Sequence, residues 1–243
     1  MVNMFNDKVL MTVLGSYEFV CVSCGLDIFD DGEYLCAECR AQLYLNNGKT
    51  CLRCGCAIGG DSSYCTKCGD REVFFDKAVS PIIAQGLATQ LLYKLKYGNR
   101  HDMARLLAHY MADSFVKQNL DIDIVTYVPL HERDEKTRGY NQSALLAKQF
   151  CAILGIDNLQ HLLSKNRVTV QQEKLGYEQR LVNLQGAFSV NKDIVVKGKN
   201  ILLIDDCLTT GATTSQCAKV LKQAKCAKVY VLTAMSRKDK ATY

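Results

Sequence analysis

The sequence predicts an α/β fold, an open parallel sheet flanked by helices and preceded by a small double zinc-ribbon domain, and three observations carry that expectation. The first is Ile201-Leu202-Leu203-Ile204-Asp205-Asp206, where four large apolar residues read as a short strand buried on both faces and two carboxylates sit where it ends. The second is the continuation, Cys207-Leu208-Thr209-Thr210-Gly211-Ala212-Thr213, which supplies small residues, hydroxyls and a glycine before Cys217, Val220, Leu221 and Ala224 recur at helical spacing. Strand, loop and helix in that order put a ligand site at the carboxyl end of the strand, where loop and helix amides point at an anion. The third is a set of four Cys-x-x-Cys pairs ahead of residue 70.

Thirteen cysteines are many, and nine of them fall between Cys21 and Cys68, a clustering that argues for metal over disulfides. Two residues between cysteines let both sulfurs reach one tetrahedral ion. Two successive ribbons are therefore expected, one Zn²⁺ on Cys21, Cys24, Cys36 and Cys39 and another on Cys51, Cys54, Cys65 and Cys68; a cross-braced pairing is equally compatible with the spacing. Cys56 is the spare and reads as a free thiol. Four thiolates leave each zinc site at about −2, so the formal charge of +5 falls to about +1. Global charge is then no argument for a nucleic-acid partner, and only a local basic patch could be one.

No stretch reaches the roughly 18 uncharged apolar residues of a membrane helix, and residues 1–14 lack a basic leader, so a cytoplasmic protein is expected. The cysteines stop at Cys68 and a strand-like run begins at Val73, which puts a domain boundary near residue 70, with 1–70 for the ribbons and 71–243 for the sheet. Pro81 marks a bulge or an edge in that run. Leu87, Leu91, Leu92 and Leu95 repeat at helical spacing, and a second helix spans about 101–118. Between them, Tyr93, Lys94, Lys96, Tyr97, Arg100 and Arg105 form a basic and aromatic cluster. It reads either as a solvated helix face or as a surface for single-stranded nucleic acid, with Lys94, Lys96 and Arg100 on phosphates and Tyr97 stacked on a base. Ile122 to Pro129 is the next buried strand, and 130–139 is expected to be a charged loop whose Arg133, Lys136 and Arg138 suit phosphate contacts. A helix over 140–154 holds Cys151 in the core. The polar run 166–180, with Arg167, Gln171, Gln172, Lys174 and Arg180, is functional or mobile. A last strand covers 228–234, and 237–240 is a solvated tail.

The thirteen residues 201–213 resemble the phosphoribosyl-pyrophosphate (PRPP) signature of type I phosphoribosyltransferases at every position. The resemblance implies that Cys207, Leu208, Thr209, Thr210, Gly211, Ala212 and Thr213 wrap the 5′-phosphate. It also implies that Asp205 and Asp206 hold the ribose hydroxyls, directly or around Mg²⁺, that Arg133 and Arg138 meet the pyrophosphate, and that 166–180 is a hood over the bound ligand. Adding the double ribbon, Leu95-Lys96-Tyr97-Gly98, Val128-Pro129-Leu130-His131, Arg138-Gly139-Tyr140-Asn141-Gln142 and Gly186-Ala187-Phe188, the chain resembles the ComF family of late-competence proteins. Members often carry Thr-Pro-x-Gln in the hood, where this chain has Thr169-Val170-Gln171-Gln172. That resemblance implies a role in natural transformation, with single-stranded DNA and other competence proteins as partners. Two classes of function follow: a competence factor that keeps a PRPP pocket, or an active PRPP-dependent transferase with an unidentified acceptor. Met1-Val2 offers no N-terminal cysteine for releasing ammonia, which argues against an amidotransferase.

Overall fold

The structure, a computed structural model, describes residues 20–28, 34–69, 73–169 and 177–239. It divides into two compact units, Met1–Leu43 and Tyr44–Tyr243. The sequence placed a boundary near residue 70; the units instead meet between Leu43 and Tyr44, and the second cysteine set is hydrogen-bonded into the larger unit. The smaller unit holds an antiparallel bridge between Val20 and Asp27 and the short helix α1 (Ala37–Ala41).

In the larger unit, α2 (Thr66–Gly69) precedes β1 (Lys77–Val79), β2 (Ile82–Ile83), α3 (Leu87–Tyr97), α4 (Asp102–Val116), β3 (Ile124–Tyr127), α5 (Glu132–Arg138) and α6 (Gln142–Leu154). Then come β4 (Leu163–Lys165), α7 (Tyr177–Leu184), β5 (Phe188–Val190), β6 (Asn200–Leu208), α8 (Ala212–Gln223) and β7 (Lys228–Ser236). The main sheet runs β1-β7-β6-β3 with β2 also on β7, and every pairing in it is parallel. Its central strand β6 buries Ile201, Leu202, Leu203 and Ile204 almost completely, as an unbroken apolar run between two neighbours must. β4 and β5 form a separate antiparallel pair.

Pro81 behaves as an edge residue, separating β1 from β2 along the same side of β7. Residues 44–46 cover this edge: Leu45 bridges Ile82, the Ile83 amide donates to the Tyr44 carbonyl (2.8 Å), and the Asn46 amide donates to the Pro81 carbonyl (2.7 Å). On one face, α4 and α6 pack with Phe115 and Phe150 edge to face at 5.3 Å. Cys151 is core, as expected.

The expected charged loop over 130–139 is a helix for most of its length. His131 caps α5 by accepting the Arg133 amide at Nδ1 (3.1 Å), Gly139 closes it in the left-handed region, and Glu132 pairs with Lys136 one turn on (2.5 Å). Acids in the first turn and bases in the last suit the helix dipole. None of its residues is buried, so hydrophobic periodicity had nothing to reveal.

Candidate functional site

Asp205 and Asp206 are both buried, although β6 continues past them to Leu208, which still pairs with Ser236. Asp205 Oδ1 accepts from the Ser143 hydroxyl (2.9 Å) and from the Asp206 amide (2.9 Å). Ser143 is aimed there because Asn141 caps α6, accepting the Ser143 amide at 2.9 Å while donating to the Val128 carbonyl at the end of β3 (3.0 Å). Burial, reinforced by the neighbouring Asp206 charge, pushes the Asp205 carboxyl up to about 7 against the pull of these hydrogen bonds and of Lys96. Asp206 is met by Lys96, whose Nζ lies 3.1 Å from Oδ1. Burial opposes the lysine's charge, but the adjoining Asp206 carboxylate outweighs it and raises the pKa.

Lys96 is thus turned inward, away from the outward-facing surface the sequence suggested for it. The side-chain stem of a helical residue lies over the preceding turn, and at the end of α3 this carries its ammonium onto the carboxyl ends of the sheet strands. Tyr97 and Tyr93 remain outside, 56% and 65% exposed with ring centroids 5.0 Å apart. Lys94 is half-buried, and Arg100 is exposed and paired with Asp102 (2.6 Å).

Asp205, Asp206, Lys96, Tyr93 and Tyr97 line one open cleft of about 1190 Å³, and Lys94 and Arg100 are not on its wall. Arg133 and Arg138 face it from α5; Arg138 donates to Gln142 Oε1 and lies over the Tyr97 ring, 5.2 Å from its centroid. Lys136 is not on its wall and is held by Glu132. The sequence reading passed over two cations of the wall. Lys165, at the end of β4, has a side chain only 10% exposed and its carboxylate neighbour Asp134 at 4.0 Å, and burial lowers its pKa. Arg237, taken for part of a solvated tail, lines the cleft beyond β7. Of the hood, Thr169 borders the cleft, and Arg167 is tied to the end of α7 through the Asn183 and Gln185 carbonyls (2.8 Å each). Gln171, Gln172 and Lys174 lie outside the described residues, and the Arg180 side chain is likewise not described.

The signature loop has two faces. Cys207 and Thr213 border the large cleft, Leu208, Thr210 and Gly211 border a small cavity against the second cysteine cluster, and Thr209 borders both. Burial, then the Asp206 charge, pushes the Cys207 thiol up to about 12, so it stays protonated. Gly211 turns the chain at φ +76°, a conformation that disfavours a side chain. Ala212 starts α8 fully buried, so the helix amino end abuts the loop.

Both cysteine sets are assembled in sequence order, which settles the pairing against the cross-brace. Within each set the four sulfurs lie within 4.8 Å of one another. Cys24 and Cys36 are 3.7 Å apart and Cys54 and Cys65 3.6 Å, close to the ~3.8 Å edge of a tetrahedron with metal–sulfur bonds of about 2.3 Å. Each set could hold a zinc ion. Cys56 is outside the second set but buried, its thiol beside those of Cys51 and Cys54.

No protein-family model matches the chain. It is similar to competence protein F of Haemophilus influenzae, with 28% identity over 220 residues, 87% of this chain and 94% of the relative. It is similar to competence protein ComFC of Bacillus subtilis at 25% identity over 237 residues, 88% of this chain and 94% of that one. Among solved structures, the allosteric regulatory enzyme of purine biosynthesis aligns at 22% identity and TM-score 0.41 over 58% of this chain and 30% of its own. The chain is thus similar to ComF proteins over nearly nine-tenths of its length.

The ComF motifs, scattered along the sequence, meet at the cleft. Lys96 and Tyr97, Val128, Pro129 and Leu130, Arg138, Tyr140 and Gln142, and Phe188 all border it together with the two acids. Tyr140 holds two of the ComF segments together by donating its hydroxyl to the Leu95 carbonyl. Among the described residues no helix is long and apolar enough to cross a membrane.

Proposed function

We propose that this protein is a competence-associated factor that binds PRPP, or a related phosphorylated ribose, with Mg²⁺ in the cleft and single-stranded DNA at the cleft's rim. The observation that carries the reading is a buried acid pair near the carboxyl end of the central strand beside a hydroxyl-rich loop that enters α8. The loop amides and the helix amino end suit a phosphate, and the acids suit ribose hydroxyls and a divalent ion. Mg²⁺ would neutralise charge on the pyrophosphate, while Arg133, Arg138 and Lys165 supply donors along the wall. On the rim, Tyr93 and Tyr97 offer faces for unpaired bases, with Lys94 and Arg100 near them for phosphates. Competence is the role printed in the relatives' names.

Replacing both acids, Asp205→Asn with Asp206→Asn, keeps their shape and removes the charge, so PRPP·Mg²⁺ affinity falls by about 2 kcal/mol or more. Calorimetric titration of the parent and the double variant tests it, and equal affinity would sink the pocket. A second reading, an active transferase, is favoured by size: the cleft of about 1190 Å³ exceeds the ~300–1,000 Å³ usual for one small ligand, leaving space for an acceptor. Pyrophosphate release in the presence of bases or oligonucleotides separates the two readings.

A further inference from the structure

We propose that the second cysteine cluster is the buttress of the signature loop, and that Asp239 is the positioning residue through which metal occupancy at Cys51, Cys54, Cys65 and Cys68 sets the order of residues 207–213. The proposal concerns the regulation of the site assigned above and rests on that loop being the phosphate cradle.

The ribbon is joined to the sheet along three lines. Its backbone meets β1 directly: the Ala78 amide donates to the Arg53 carbonyl (2.9 Å), and a Cβ on Gly55, itself at φ +68°, would stand 2.4 Å from the Ala78 carbonyl oxygen. Asn46 donates from Nδ2 to both the Gly55 carbonyl (2.8 Å) and the Ser80 carbonyl (3.0 Å). The third line is the segment after β7. Asp239 is 6% exposed, its carboxylate accepts the Thr66 amide (2.9 Å) and the Thr66 hydroxyl (2.7 Å), and its own amide donates to the Ala57 carbonyl (3.2 Å). Two residues earlier, the Arg237 amide donates to the Leu208 carbonyl (3.3 Å). Residues 237–239 therefore strap the ribbon to the start of the signature loop.

The loop's far side rests on the same structure. A cavity of about 30 Å³, room for a water and little more, is bordered by Cys54, Cys65, Cys68, Phe75, Thr210 and Gly211. Phe75 fills the remaining space, with its ring 3.7 Å from where a Gly211 Cβ would be. The ribbon's own buried cluster is Cys51, Cys65, Cys68, Cys56 and Ile58, with Cys54 half-buried against it, far too little apolar surface to fold alone, so the metal would supply its folding free energy. Loss of the ion then removes Thr66 from Asp239, releases the strap, and uncovers one face of the loop while the opposite face still borders the cleft.

Amide hydrogen exchange on the full-length protein reads this without any ligand. Cys65→Ser and Asp239→Ala should each raise exchange over 207–215 by about tenfold or more, the size expected for losing charge-assisted hydrogen bonds. Asp239→Asn, whose Oδ1 can keep the Thr66 amide while its Nδ2 donates to the Thr66 hydroxyl oxygen, should stay near the parent. Unchanged exchange over 207–215 in Asp239→Ala overturns the proposal, as does a rise spread equally over β6 and β7, the mark of general destabilisation. If Cys65→Ser fails to fold, the two Asp239 variants decide. The order of the loop should track PRPP·Mg²⁺ affinity across the variants. A parent that binds no PRPP would remove the proposed ligand yet leave the exchange result, and hence the buttress, standing.

Discussion

The two cysteine clusters share one spacing rule and differ in what surrounds them. In the smaller unit Cys24 is exposed and Cys36 half-buried, and the chain around them bonds close by, Cys21 amide to Leu26 carbonyl (2.7 Å) and Gly25 amide to Cys21 carbonyl (2.8 Å). In the larger unit Cys51, Cys65 and Cys68 are buried, and the bonds of the ribbon reach Ala78, Ser80 and Asp239. Cys-x-x-Cys fixes how sulfur meets metal; residues outside the motif decide whether the metal holds up anything else. The same division runs through the basic and aromatic segment of α3, where Lys96 faces Asp206 while Tyr93 and Tyr97 face solvent, and through the acid pair, where Asp206 meets a lysine and Asp205 a hydroxyl.

The largest effect should separate the clusters themselves. Cys51→Ser with Cys54→Ser should lose one of two zinc ions and destabilise the sheet unit by about 3 kcal/mol or more, because the ribbon is bonded to β1 and to the strap. Cys21→Ser with Cys24→Ser should lose one ion and leave the unfolding transition of the larger unit in place. Metal analysis and denaturant unfolding check both; equal damage from the two pairs would break the comparison.

Lys96→Ala comes next. It strands Asp206, and because the lysine is 22% exposed the loss should be about 2 kcal/mol of stability, between the values for exposed and for buried pairs. Salt dependence of oligonucleotide binding should stay as in the parent, while Lys94→Ala with Arg100→Ala should lower the slope by about 0.7 per lost phosphate contact. Tyr97→Ala should weaken oligonucleotide binding by about 1 kcal/mol with the slope intact, since stacking releases no counterions. Filter binding over a salt series distinguishes these, and a slope change in Lys96→Ala would return that residue to the outer surface.

The smallest effect is a pH slope. The folded-state pKa of Asp205 is raised to about 7, so the folded chain holds this proton to a higher pH than the unfolded chain does. The favourable contribution of protonation is present at low pH, fades as pH rises through the folded pKa, and leaves stability level above it. Unfolding measured in metal-free buffer from pH 6 to 8 should show this slope in the parent and lose it in Asp205→Asn.

The sheet and most of its helices were legible because burial leaves a period in the sequence: Ile201 to Ile204 is continuous, and the apolar stripes of α3, α4 and α6 repeat each turn. The two four-cysteine sets were legible because a shared spacing of Cys-x-x-Cys pairs brings sulfurs together. α5 was not, since a helix without an apolar face carries only capping and charge signals. Lys96, Lys165, Ser143 and Asp239 were misplaced or missed for another reason. Each is defined by a partner 31 or more residues away, as with Asp239 and Thr66, 173 apart. No local pattern encodes such a pairing, and a charge near a chain end reads as solvated until its partner is in view.

The short segment 44–46 has a consequence for how this chain could be shortened. It lies against β2, beyond Pro81, where a bare sheet edge would offer unpaired amides and carbonyls to any passing strand. A chain trimmed to begin after the last knuckle cysteine would keep every cleft residue and lose this cover. Such a fragment would self-associate through the exposed edge, so that its insolubility would report the uncovered strand together with the lost ribbon and would be no test of what the cleft binds.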